Sequence, residues 1–368
     1  MKKSALLLLA AISVILFGCN KKNGSYNTDE VEIKNKVVIL NQGNYTEQNS
    51  SIYVYDENTK TMTPNAYANA NNGTKLGATL MSGTYSSSGV GYFLCSNPDK
   101  IAIVDIITMK SITSPVTEGL SNSREIMGAD GYLYVTNAGK EYNINADGSY
   151  EYTNSYVSIY SASSLIHMDN VEIGSDAQGM AWLENRLFVG TKDGIAILVR
   201  QGNSLKLESV YKDEEYTGAV KYLCVANEKI YASVPGYGVF EYDPYDGRTR
   251  ERYELPLDSN GYICMGPDNK IYTCATIYNT TDWSVESSSV YQLDINSGDI
   301  KKIASGEYLY SVGVSHYSKN IFTSEANGFT TNSTIHILDQ EQGEVGSATA
   351  GVGAFRYLFV SYIGLKEE

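Results

Sequence analysis

The sequence predicts an all-β fold, a seven-bladed β-propeller of four-stranded antiparallel blades. Three observations carry the prediction. One hairpin pattern recurs along the chain, its copies fall 40 to 56 residues apart, and a second hairpin follows each copy. The clearest copy is Arg124 to Asn137, where an Ala129-Asp130-Gly131 turn joins two apolar arms and the second arm alternates Tyr132, Leu133, Tyr134, Val135. Asp-Gly between alternating arms signals a tight hairpin because glycine accepts the positive φ the turn requires.

The same pattern recurs at Met180 to Gly190, Leu223 to Ala232, Ile263 to Thr273 and Val312 to Ser324, and the runs Lys36 to Leu40 and Gly91 to Cys95 supply two more second arms. Marking the start of each second arm gives seven anchors: Lys36, Tyr92, Tyr132, Arg186, Lys229, Lys270 and Asn320. The second hairpins begin at Ser51, Lys100, Tyr156, Gly194, Gly238, Ser289 and Thr334, with apolar residues alternating as half-buried strands require. The first repeat has no inner strand of its own, whereas Ala354 to Tyr362 is an apolar strand left over at the other end. Pairing that strand with the N-terminal blade closes the ring and removes two exposed sheet edges.

The N-terminal residues precede the fold. Lys2 and Lys3, an apolar run Ala5 to Phe17, and Gly18-Cys19 have the order of a bacterial lipoprotein signal, so residues 1–18 are expected to be removed and Cys19 lipidated. The apolar run is too short to span a bilayer, and membrane contact is expected only through the lipid. Residues 19–35 read as a polar tether, and residues 36–363 as the propeller. The formal net charge is −14, and loss of Lys2 and Lys3 makes it more negative. So acidic a chain argues against nucleic acid, whose backbone demands Lys and Arg. Cys264 and Cys274 flank the Pro267-Asp268-Asn269 turn symmetrically. A bridge between them and two buried thiols are both open, and there is no Cys-x-x-Cys pair.

Antiparallel blades impose a parity on their loops. The entry to each inner strand and the loop joining strands two and three emerge on one face, and the remaining short turns on the other. Four loops of the first set are long: Asn41 to Ser50, Asn137 to Ser155, Ala275 to Ser288 and Glu325 to Ser333. They carry Tyr45, Tyr142, Tyr150 and Trp283, and long aromatic-bearing loops on a rigid scaffold are where binding usually resides. At the inner-strand mouths of the same face stand Arg124, Gln178, Lys221, Tyr262, Tyr310 and Arg356. This polar collar suits a ligand bearing amides, phosphate or hydroxyls.

Catalytic patterns are sparse. The three histidines, His167, His316 and His336, have no metal-ligand spacing, and no nucleophile elbow, phosphate loop or His-Glu-x-x-His is present. Asn143 to Gly148 matches only the first half of a calcium loop. No cofactor and no enzymatic activity are expected.

The run Ile39-Leu40-Asn41-Gln42-Gly43-Asn44, with Tyr55-Asp56, Asn72-Gly73 and Leu76-Gly77, resembles the YncE-like propeller lipoproteins of Bacteroidetes, which include the cobalamin-capturing BtuG-type surface proteins. The resemblance implies capture of cobalamin or a related corrinoid at the loop-rich face and delivery to an outer-membrane TonB-dependent transporter. It also implies a lipid-anchored place at the outer membrane, on the cell surface rather than the periplasmic side. The chain departs from the family in having Gln42 where Glu is usual and in reaching Asp29 and Glu30 only late after Cys19. Two alternatives stand beside this reading: a glycan- or peptide-binding surface lipoprotein, and a propeller lyase or hydrolase.

Overall fold

The computed structural model describes residues 31–365 apart from Asp147, Ser149, Thr217, Thr280 and Trp283. The signal, Cys19 and most of the tether lie outside the described residues. The compact body is Lys34–Tyr362, and residues 31–33 and 363–365 belong to a separate small unit. Among the described residues no helix is long and apolar enough to cross a membrane.

The body is built from seven sheets of three or four strands and one two-stranded hairpin. Sheet one pairs Val31–Asn41 with Ser51–Asp56, places Thr61–Thr63 outside them, and sets the C-terminal strand Ala354–Leu365 on the other flank of Val31–Asn41. Sheet two is Thr79–Tyr85, Val90–Ser96 and Lys100–Asp105, and sheet three is Ser123–Ala129, Tyr132–Asn137, Ser155–Ser161 and His167–Gly174. Sheets four to seven begin at Met180–Leu183, Leu223–Ala226, Ile263–Met265 and Leu309–Val314, each with three further strands in chain order.

The apolar residues explain why these strands stack as they do. Arg186–Thr191 and Lys229–Val234 are buried from their second residue on, because each middle strand has a neighbouring sheet on both faces. The core accordingly divides into seven clusters, each seated between one sheet and the next. Leu40 and Ile52 meet Leu80 and Phe93 between sheets one and two, and Phe188 meets Ile230 and Phe240 between sheets four and five. Another cluster sets Phe322 and Ile335 of sheet seven against Ile39, Tyr53 and Tyr357 of sheet one.

Buried hydroxyls reinforce this stacking. Ser50 donates to Ala78 O at 2.6 Å, Thr136 to Gln178 O at 2.8 Å, Ser233 to Gly261 O at 2.6 Å, Thr276 to Leu309 O at 2.8 Å and Ser324 to Ala354 O at 2.6 Å. Each bond ties a strand to the start of the following sheet. Between sheets four and five a close approach replaces it, since a Cβ on Gly190 would stand 2.6 Å from Val220 O.

Three of the short turns are two-residue turns of mirror-image type, with positive φ at both positions: Asp130 47° and Gly131 80°, Glu184 48° and Asn185 62°, Asn227 48° and Glu228 61°; at Asp268-Asn269 only Asn269 has positive φ. Two expectations need correction. Sheet two has three strands instead of four. Pro115, which has no N–H to donate, interrupts the outer segment, leaving only the Ile101–Val116 and Val104–Ser111 bridges. Ala275 to Ser288 is mostly ladder, with Ala275 opposite Ser289 and Tyr278 opposite Val285. Of the two states open to Cys264 and Cys274 the structure has free thiols, since Cys264 lies opposite Tyr272 in the ladder. Burial pushes the Cys264 thiol up to about 12.

Candidate functional site: a cavity at the mouths of the inner strands

From sheet two to sheet seven the first strand of each sheet lies against the first strand of the next, and strand mouths from all seven sheets surround a cavity of about 280 Å³. Every sheet contributes. Sheet one gives Gln42, Phe355 and Arg356, sheet two Met81, sheet three Arg124 and Glu125, and sheet four Gln178 and Gly179. Lys221 and Tyr222, then Ser259, Asn260 and Tyr262, then Tyr310 complete the lining. A wider cavity of about 450 Å³ lies between sheets one and seven, lined largely by Asn, Ser and Tyr with Lys75 as its one cation. It lacks the convergence of all seven sheets that marks the central one.

β-Bulges aim the central side chains. In sheets two, three and seven the register slips between Leu80 and Ser82, between Ser123 and Glu125, and between Leu309 and Ser311. The extra residues are Met81, Arg124 and Tyr310, each at a strand mouth. Such a bulge re-aims a side chain that strict alternation would send into the neighbouring sheet. That is why the adjacent residues Arg124 and Glu125 both reach the cavity. Sheet four repeats the two-against-one arrangement with Gln178 and Gly179 facing Gly190, and sheet five with Lys221 and Tyr222 facing Ser233.

One side of the cavity is an ion pair in an aromatic frame. Arg356 is paired with Glu125, their side chains 11% and 12% exposed, and Arg356 Nη1 donates to Ser82 Oγ at 2.9 Å. Ser82 in turn donates to Glu125. The guanidinium carbon of Arg356 lies 5.3 Å and 5.2 Å from the ring centroids of Tyr222 and Tyr262, which contact each other edge-on at 5.1 Å. Burial opposes the Arg356 charge, yet the Glu125 carboxylate holds its pKa well above the ordinary value. Burial also drives the Tyr222, Tyr262 and Tyr310 hydroxyls up, so all three stay neutral donors. Tyr310 uses its hydroxyl on Gln42 Oε1 at 2.9 Å.

Two further cations, Arg124 and Lys221, line the cavity, and neither forms a close ion pair with the described residues. Arg124 Nε is buried without a hydrogen-bond partner, and its guanidinium carbon lies 5.6 Å from the Tyr152 ring. Lys221 forms no side-chain hydrogen bond or close ion pair with the described residues. Burial lowers its pKa, the field of Asp176 opposes that, and Arg124 lowers it further.

The six residues expected at the strand mouths, Arg124, Gln178, Lys221, Tyr262, Tyr310 and Arg356, therefore lie together around one cavity. Tyr45, Tyr142 and Tyr150 do not line it. They are 69%, 49% and 58% exposed, because their loops carry them out beyond the strand mouths. Tyr142 and Tyr150 belong to the hairpin Tyr142–Ile144 and Tyr150–Tyr152, and contact each other at 4.9 Å. Tyr142 also meets Tyr152, at 5.9 Å, and Tyr152 is the residue beside Arg124. Trp283 lies outside the described residues. Sequence reasoning missed Glu125, Tyr222, Met81 and Phe355. Strand alternation places Met81, Glu125 and Tyr222 each on the opposite face from its neighbour, and only a bulge, which leaves no mark in these residue types, reverses that. The half calcium loop at Asn143 becomes part of the hairpin. Among the described residues no group of three His, Cys, Asp or Glu side chains could hold a metal ion.

A sequence family described as a domain of unknown function, DUF5074, matches residues 35–158, which span sheet one apart from its C-terminal strand, sheet two and most of sheet three. No curated protein sequence matches. Among solved structures, the chain is similar to a quinonprotein alcohol dehydrogenase-like protein from Bacteroides thetaiotaomicron, with TM-score 0.59 and 14% identity over 88% of this chain and 78% of that one. It is similar to the WD40 β-propeller domain of Doa1, with TM-score 0.55 and 14% identity over 79% and 86% of the two chains. Apo AztD from Citrobacter koseri matches with TM-score 0.54 and 10% identity over 90% and 98%. At such identities the likeness shows the fold, and the fold is that of a β-propeller.

Proposed function

We propose that this protein is a non-enzymatic capture protein, a ring of seven blades closed by its C-terminal strand, which binds a small molecule at the central cavity. The observation that carries this reading is convergence. Seven strand mouths bring two cations without a close ion pair, amides and neutral tyrosines to one opening, while the Glu125–Arg356 pair and its tyrosine frame give that opening a fixed wall. A wall organised before the ligand arrives reduces the entropy lost on binding. The family resemblance supplies the finer reading: a corrinoid, captured by a lipoprotein anchored through Cys19 at the outer membrane and passed to a TonB-dependent transporter. A corrinoid ring is wider than the cavity. It would lie over the mouth against Tyr222, Tyr262 and the exposed Tyr142–Tyr152 hairpin, with a side group inside.

Calorimetry with cyanocobalamin on the wild type and on Tyr262→Ala tests both levels. Binding that weakens at least tenfold in the variant supports the corrinoid reading. No heat and no retained colour ends it, and capture of another small molecule then remains to be sought. The glycan alternative is favoured instead if a polysaccharide gel retards the wild type and the loss of Tyr142 and Tyr150 abolishes the retardation.

A further inference from the structure

We propose that the group the cavity recognises is an oxyanion, a carboxylate or a phosphate, seated between Arg124 and Lys221. The inference rests on the capture reading and sharpens it to a ligand chemistry. Three cations and one carboxylate line the cavity, and the carboxylate of Glu125 is already committed to Arg356. Arg124 and Lys221 thus hold two positive charges in a confined space, where the field of Asp176 reaches Lys221 without a close ion pair, in a chain whose net charge is −14. Two like charges brought together and partly desolvated destabilise the fold, so their presence is not explained by stability.

Their donors are also unused. At the guanidinium edge Arg124 Nε is buried with no acceptor, a loss that an oxyanion would make good, and the Tyr152 ring centroid lies 5.6 Å from the guanidinium carbon. An oxyanion is the acceptor that matches this edge, accepting two parallel N–H bonds, with a point charge such as the Lys221 ammonium alongside. Gln178, from the sheet between those of Arg124 and Lys221, adds an amide N–H to the same wall. The depressed Lys221 pKa is consistent with an ammonium that lacks its anion.

The test is calorimetric titration of the full-length chain with inorganic phosphate, citrate and, as a neutral control, maltose, on the wild type, Arg124→Gln and Lys221→Met. Both substitutions leave the Glu125–Arg356 pair in place, and circular dichroism confirms folding. The expected result is one-to-one binding of phosphate or citrate, weakened tenfold or more by either substitution and by added salt, with protons taken up on binding at alkaline pH. The anion that binds more tightly tells carboxylate from phosphate. Oxyanion binding that both variants leave unchanged overturns the proposal. So does maltose binding that both variants retain while neither anion binds, and in that case capture at the cavity stands. If cyanocobalamin and all three probes fail, the capture reading falls with it.

Discussion

Removing the Glu125 carboxylate is the most informative single perturbation of the fold. Glu125→Leu leaves the Arg356 guanidinium, with a side chain only 11% exposed, facing no anion, and it takes the acceptor from Ser82 Oγ. Stranding one partner of a buried ion pair costs roughly 3 to 5 kcal/mol, and an unmade hydroxyl bond about 1 kcal/mol more. The expected destabilisation is therefore about 4 to 6 kcal/mol. Tyr222 and Tyr262 limit it from above, because their ring faces still attract the cation. Arg356→Met strands Glu125 instead and costs less, since a carboxyl group can take up a proton whereas a guanidinium cannot shed one. In the double variant neither charge remains, and the loss falls to roughly 1 to 2 kcal/mol of packing and lost hydrogen bonding. Urea unfolding of the four proteins, followed by tyrosine fluorescence and near-ultraviolet circular dichroism together, gives the coupling energy. A Glu125→Leu cost under about 1 kcal/mol, or a double variant equal to the sum of the singles, would refute the claim that the pair is a buried structural wall.

Other outcomes follow from the same structure. Thr136→Val leaves Gln178 O without its 2.8 Å donor and is expected to cost about 1 to 2 kcal/mol in urea midpoint analysis. Gly190→Ala puts a methyl group 2.6 Å from Val220 O, next to Lys221; the sheets must part, and thermal unfolding should report a loss of roughly 1 to 3 kcal/mol. Asp243 is held at about 2, below its ordinary 3.8, by its hydrogen bond from Lys229 and a backbone N–H from Tyr245. Its folded pKa is depressed, so its contribution is complete above pH 4 and vanishes as pH falls through 2. Asp243→Asn should flatten the acid limb of the stability curve over that interval and leave the neutral region parallel to it.

Much of the architecture is legible in the sequence because it rests on local signals. Asp130-Gly131 and Asn227-Glu228 fix hairpins through backbone preference, and alternating runs such as Ile195 to Leu198 fix strands. Counting these units gives seven, and the mouth residues of the inner strands follow from the antiparallel parity alone. What the sequence conceals is whatever depends on register. The slip between Ser123 and Glu125 turns Glu125 toward the cavity, and nothing in Ser-Arg-Glu-Ile announces it. The hydroxyls of Thr136, Ser233 and Ser324 read as ordinary strand residues until their acceptors, 28 to 42 positions away, come into view. Long loops misled in the opposite sense. Tyr142 and Tyr150 stand exposed and do not line the cavity, because length in a loop extends reach away from the scaffold as readily as across it.

The claim that this cavity is where the protein holds its ligand is tested most directly by plugging it. Gln178→Trp would fill much of the roughly 280 Å³ without touching the Glu125–Arg356 pair. Wild type and variant, each isolated from the native host and denatured, are compared for released small molecules by mass spectrometry. The account predicts that one compound leaves the wild type in near-stoichiometric amount and is missing from the folded variant. Release of the same compounds in equal amounts from both would contradict it.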